Sequence, residues 1–234
     1  MKGVQVACSW SGGKDSCLAL YSVVQLGAVP RTLLTIFDES GERSRSHGLH
    51  REVLLAQATS MNLCLRSRRA SWETYEPQFQ DALQELRKQG IEDVVFGDID
   101  LQPHRDWEER VCAAQSVRAH LPLWKQNRRA VLRRVWAAGI RCRIIAVDAA
   151  RLSEDILGAE LTPKLARDLE AKGIDACGEN GEFHTVVVDG PMFAHALELT
   201  FGATVLRGGY LAIDARLAPT HAERAEVTPG ESLG

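Results

Sequence analysis

A chain of 234 residues has room for one large α/β domain, or for a nucleotide-binding domain with a small companion. Its 45% hydrophobic and 25% charged residues, with a mean hydropathy of -0.16, exclude disordered, collagen-like, coiled-coil and membrane-spanning classes. The 28 Lys and Arg against 31 Asp and Glu leave a net charge of -3, which argues against nucleic acid as a partner. The opening MKGVQVACSW holds too short an apolar run for a secretory signal, so a cytoplasmic protein without membrane contact is expected. Six scattered cysteines, Cys8, Cys17, Cys64, Cys112, Cys142 and Cys177, form no CxxC pair; reduced thiols without metal-ligand spacing are expected.

In chain order, Val4 to Cys8, Thr32 to Phe37, Leu63 to Arg66 and Val94 to Phe96 read as strands. Between them Asp15 to Leu26, Leu49 to Met61 and Tyr75 to Gln89 carry apolar residues at helical spacing. Strands alternating with crossover helices predict a Rossmann-like, doubly wound parallel sheet, with ligands at the carboxyl ends of its strands. Helical patterning resumes from Asp106 to about Ala119 and from Arg128 to Ala138, followed by a strand at Ile144 to Val147. A helix from Thr162 to Gly173 and strands at Val186 to Val188, Thr204 to Leu206 and Tyr210 to Ala215 have a different rhythm. They predict a smaller α+β domain. The expected division is 1–145, 146–217 and 218–234, the last a polar tail.

Ser11-Gly12-Gly13-Lys14-Asp15-Ser16 stands between the first strand and the first helix. Paired glycines let the backbone approach an anion, and the helix start offers unpaired N–H groups and a positive dipole end. The spacing is not that of a Walker-type loop, and no GxGxxG is present. Phe96-Gly97-Asp98-Ile99-Asp100 closes the fourth strand, where an open parallel sheet presents its ligands. Cys177-Gly-Glu-Asn-Gly-Glu-Phe-His184-Thr185 is a polar loop feeding an apolar strand, a costly place for charges without partners. Nine basic residues and no acid lie between Arg110 and Val147; their helical phase is that of a solvated face.

The first string resembles the SGGxDS motif of the PP-loop ATP pyrophosphatases, which cleave ATP between its α and β phosphates. With the Phe-Gly-Asp element and the GENGEF loop followed by Asp189-Gly-Pro-Met-Phe193, the chain resembles the diphthine-ammonia ligase family over roughly residues 4 to 216. That resemblance implies an AMP-forming ligase that adenylates a carboxylate, releases pyrophosphate and then forms an amide with ammonia, using ATP and Mg²⁺. It implies that Ser11, Gly12, Gly13, Lys14 and Ser16 hold phosphate oxygens and that Asp15, with Asp98, helps position the metal. Phe37 and Gly97 join the nucleotide site. Arg45, His47, Glu179, Asn180 and Thr185 are assigned to the acceptor, and Glu182 and His184, with Asp15, to catalysis. His184 stands where the family pattern has Glu before Thr, similar to a bacterial-type subgroup, and leaves open whether the acceptor is small or protein-borne. A homodimer is compatible with the sequence. Two alternatives remain beside the ligase: an RNA-modifying PP-loop enzyme, and a non-catalytic ATP-binding module.

Overall fold

A computed structural model describes residues 1–219. Its first half is the expected alternation: β1 (Gln5–Ser9), α1 (Lys14–Gln25), β2 (Val29–Phe37), α2 (Arg51–Ser60), β3 (Cys64–Arg69), α3 (Tyr75–Lys88), β4 (Asp93–Val95), α4 (Gln102–Ala114) and β5 (Arg118–His120). The five strands form one parallel sheet in the order β3-β2-β1-β4-β5. The strand order reverses beside β1, so the crevice for a ligand opens at the carboxyl end of that strand. Phe79, Leu83 and Leu86 of α3 pack with Val111 and Cys112 of α4 over one face of the sheet.

The chain continues through α5 (Arg128–Ala137), β6 (Arg141–Asp148), α6 (Pro163–Ala171), β7 (Phe183–Asp189), β8 (Leu199–Arg207) and β9 (Tyr210–Leu217). The last four strands make an antiparallel sheet in the order β7-β6-β9-β8. Its apolar residues, among them Ile144, Val147 and Val186, join Leu18 and Leu20 of α1 and Leu54 of α2 in a single buried cluster. The second sheet therefore packs directly on the helices covering the other face of the first. No helix among the described residues is long and apolar enough to cross a membrane.

Two expectations are corrected. The helix expected to reach Ala119 stops at Ala114, because Ser116 turns the chain at φ 55° and residues 118–120 pair with β4. Asp93 fixes this short strand by accepting from Arg118 at 2.6 Å and His120 at 2.6 Å. A division at 145/146 would cut β6, whose whole length belongs to the second sheet; the change of sheet falls between His120 and Arg141. The tail expected over 218–234 lies almost entirely outside the described residues. The basic run is largely neutralised by acids from elsewhere: Arg110 by Glu76, Arg118 by Asp93, Arg128 by Asp100 and Asp175, Arg129 by Glu170, Arg141 by Glu160.

Candidate active site

Residues 10–13 turn from β1 into α1 over a distance that only glycine permits at two positions. Gly12 has φ +81°, and a Cβ there would lie 2.6 Å from Leu49 Cδ1; one on Gly13 would lie 2.4 Å from His47 Cε1. The Gly13 amide donates to Ser11 Oγ at 3.2 Å, and Ser16 Oγ donates to the Gly13 carbonyl at 3.1 Å. These hydroxyls thus shape the turn. Gly97 serves the loop from the other side: a Cβ on it would stand 2.7 Å from the backbone nitrogen of Ser16. The end of β4 can therefore rest against the first turn of α1.

The second domain closes onto this loop through its backbone. The Val187 amide donates to the Gly12 carbonyl at 2.8 Å, and the Lys14 amide donates to Thr185 Oγ1 at 3.2 Å. Gln57 of α2, fully buried, accepts from Trp10 Nε1 at 2.8 Å and donates to the carbonyls of Gly12 at 3.0 Å and Val187 at 2.7 Å. His47 Nδ1 donates to the Thr185 carbonyl at 2.9 Å. Between the domains lies a cavity of about 750 Å³, lined by Ser11, Lys14, Asp15, Gly97, Asp98, Glu179, His47, His184 and Thr185, and by Tyr75, Phe79, Phe96 and Trp107.

Charge is concentrated at its floor. Lys14, 3% exposed, pairs with Asp15 at 2.6 Å and reaches Glu179 Oε1 at 3.7 Å. Burial works against the ammonium, but Asp15 and Glu179 outweigh it and hold Lys14 above its ordinary range. Burial raises Asp15 as well, and its Oδ1 is buried without a hydrogen-bond partner. Glu179 is pushed up to about 8, first by burial and then by the charge of Asp15. Asp98 is held below its usual range: burial raises it, while His104 Nδ1, donating at 2.8 Å, and Glu108 lower it by more. Glu108, 4% exposed, is pushed up to about 11 by burial and by Asp98, so it is a neutral acid that donates to its neighbour.

His184 lies between His47, at 4.6 Å between ring centroids, and Tyr210, at 5.2 Å. Burial lowers His47 to about 3 and His184 to about 4, with Lys14 adding to both. The stacked imidazoles are neutral at pH 7. Together with Ser46 and Trp72 they separate the first cavity from a second of about 810 Å³, which lies over the face of the antiparallel sheet.

Several assignments move. Phe37 is fully buried beneath the Arg51 guanidinium, 5.1 Å from its ring centroid, and belongs to the core; Leu34, Thr35 and Ile36 before it line the cavity instead. Arg45 binds the Ala70 carbonyl and Glu39 and lines the second cavity alone. Asn180 accepts from Arg128 at 2.9 Å and lies outside the cavity lining. Glu182, fully buried, faces its own loop: it accepts from the Asn180 amide at 2.9 Å and side chain at 3.1 Å, and pairs with Arg151 at 3.0 Å. Its contacts brace the turn that carries Glu179. Trp72 is 70% exposed at the cavity rim. Gln57 and Glu108 carry no local sequence signal for their place here, and Cys177 is marked only by the Cys-Gly-Glu spacing around Gly178.

Two family models match the chain: the N-terminal domain of diphthamide synthase over residues 4–119, and its C-terminal domain over 127–216. The chain belongs to the diphthamide synthase family. It is 31% identical over 218 residues to the diphthine--ammonia ligase of Mus musculus, covering 81% of this chain and 80% of that protein. The Rattus norvegicus enzyme of the same name is 29% identical over 216 residues, with the same shares covered. That of Schizosaccharomyces pombe is 27% identical over 219 residues, 81% of this chain but 35% of its own length. The two diphthamide synthase segments meet in the connector ahead of α5.

The floor of the cavity suits a phosphate chain with a hard divalent cation. It offers a buried ammonium, a helix start whose first amides have no intrahelical acceptor, and an unpartnered carboxylate oxygen on Asp15. Asp98 and Glu179 add oxygen donors, the class that Mg²⁺ prefers.

Proposed function

We propose that this protein is an ATP-dependent ligase that joins ammonia to a carboxylate acceptor, of the same reaction class as the diphthine--ammonia ligases it resembles. The observation that carries this reading is the loop Ser11 to Ser16, set at the floor of a two-domain cavity with Lys14 and the unpartnered Asp15 oxygen beside it. In this reading Lys14, the amides at the start of α1 and the Ser11 and Ser16 hydroxyls hold the phosphates. Asp15 and Asp98 would hold Mg²⁺, which neutralises phosphate charge when bound. Gripping the β and γ phosphates stabilises pyrophosphate as a leaving group, so the acceptor carboxylate attacks the α-phosphorus and is adenylated. Closure by residues 178–185 keeps water from that mixed anhydride until ammonia displaces AMP.

Ammonia arrives mostly as ammonium, and a base must take its proton. Glu179 supports that role: it lines the cavity, and a carboxyl pushed up to about 8 accepts a proton near neutral pH. Glu182 positions it through the loop, and the neutral His47 and His184 form a polar wall where the acceptor passes. His184 in place of the family's glutamate supports a bacterial-type subgroup with its own acceptor. The test is product analysis with Mg·ATP, ammonium and an acceptor-containing extract. Ammonium-dependent AMP and pyrophosphate are expected; ADP and phosphate would overturn the reading.

A further inference from the structure

Cys177 is 1% exposed and makes no disulfide, yet it does not sit among apolar groups alone. Its Sγ, one carboxylate oxygen of Asp15 and one of Glu179 all lie within 4.8 Å of one another. Two independent features of the fold bring them there. Gly178, at φ +79°, bends the chain between Cys177 and Glu179, and a Cβ on it would approach the Phe183 carbonyl to 3.1 Å. The docking of β7 on the phosphate loop then sets this turn against the first residues of α1. The sulfur has no hydrogen-bond partner among the described residues, and Asp15 Oδ1 is likewise buried without one.

We propose that Asp15, Cys177 and Glu179 form a binding site for a thiophilic dication of the zinc class. A thiol beside two carboxylates is the wrong donor set for Mg²⁺ alone and a good one for zinc, cobalt or cadmium, which take sulfur and oxygen together. Zinc stands about 2.3 Å from sulfur and about 2.0 to 2.2 Å from oxygen, so the three atoms must draw in by about an ångström. Side-chain rotation of Glu179, which faces the open cavity, supplies that movement. The charges also fit. Binding releases the thiol proton and the proton of the Glu179 carboxyl to solvent, and the three anionic ligands are then balanced by the dication and the Lys14 ammonium, which already pairs with Asp15. Three protein ligands leave a fourth position open toward the cavity, as in catalytic rather than structural sites. A metal held there would block the place the phosphates need, whether or not the ligase reading is correct.

The experiment uses the full chain, reduced and free of nucleotide, with Co²⁺ as the probe. A thiolate-to-cobalt charge-transfer band in the near ultraviolet is expected, saturating at one equivalent and reversed by Zn²⁺. It should vanish in Cys177→Ser and persist in Cys64→Ser, which removes the exposed thiol at the start of β3. Glu179→Gln keeps the sulfur and should weaken Co²⁺ binding by about tenfold or more. No band in the wild-type protein, or a band that survives Cys177→Ser, overturns the proposal. Should Cys177→Ser fail to fold, Glu179→Gln decides, since unchanged affinity there is equally fatal. Mg·ATP binding measured separately by calorimetry tests the ligase reading without reference to the thiol.

Discussion

The amide of Val187 donates to the carbonyl of Gly12 across 2.8 Å, joining a central residue of β7 to a loop 175 positions earlier in the chain. The glycine loop is thus held from both sides, by its own helix and by a strand of the other domain.

Gln57 completes that bond pattern from a fully buried position. Gln57→Leu strands the Trp10 indole N–H and removes donors from the carbonyls of Gly12 and Val187. Buried polar groups left without partners cost about 1 to 3 kcal/mol each, so at least about 2 kcal/mol of stability should be lost. The urea midpoint measures it; an unchanged midpoint would mean that water replaces the amide.

Gly97→Ala drives a Cβ to within 2.7 Å of the Ser16 nitrogen, and the backbone on that side cannot rotate away. The first turn of α1 must shift. We expect Mg·ATP affinity by calorimetry to fall by about tenfold or more, with far-ultraviolet circular dichroism unchanged.

Glu108 makes the folded protein pH-sensitive with a definite sign. Its carboxyl is raised from about 4.5 in the unfolded chain to about 11 in the native one. The folded state therefore binds the extra proton between those limits, and stability falls as pH rises through that window. Glu108→Gln removes the proton uptake and keeps the shape. Its melting temperature relative to wild type should climb steadily from pH 5 to pH 9; a constant difference would contradict the assignment.

The histidine stack makes a spectroscopic prediction. His47 and His184 should titrate near pH 3 and 4, well below free imidazole, because burial and Lys14 disfavour their cations. Imidazole proton resonances followed by NMR read this directly, and midpoints near 6.5 would mean that the rings are open to solvent. With both groups depressed, the folded protein loses stability as pH falls from about 6.5 toward 3.

How much of this was legible in the sequence follows physical lines. Local signals were readable: the glycine turn between β1 and α1, the helical phase of Phe79, Leu83 and Leu86, and the polar loop after Cys177 all act within a few residues. Arg118-Ala-His120 was not, since a three-residue strand has too little period to register and is held by Asp93, far off in sequence. Phe37 ends a strand that does reach the site, but its ring is buried beneath the Arg51 guanidinium. Glu182 looked catalytic because a buried acid seems costly, yet Arg151 and Asn180 satisfy it at short range. The meeting of Asp15, Cys177 and Glu179 depends on how two domains pack, which no local pattern encodes.

The loop's dependence on β7 also bears on how family members can be recombined. A chimera joined in the connector between the segments matched at 4–119 and 127–216 would draw its glycine loop from one parent and the strand that clasps it from the other. Lys14 would meet a foreign Thr185, and Gln57 a foreign Val187 carbonyl, at separations where a few tenths of an ångström decide whether the bond forms. Crossovers tolerated at that seam would be those whose parents agree along β7 and α2, whatever their likeness elsewhere.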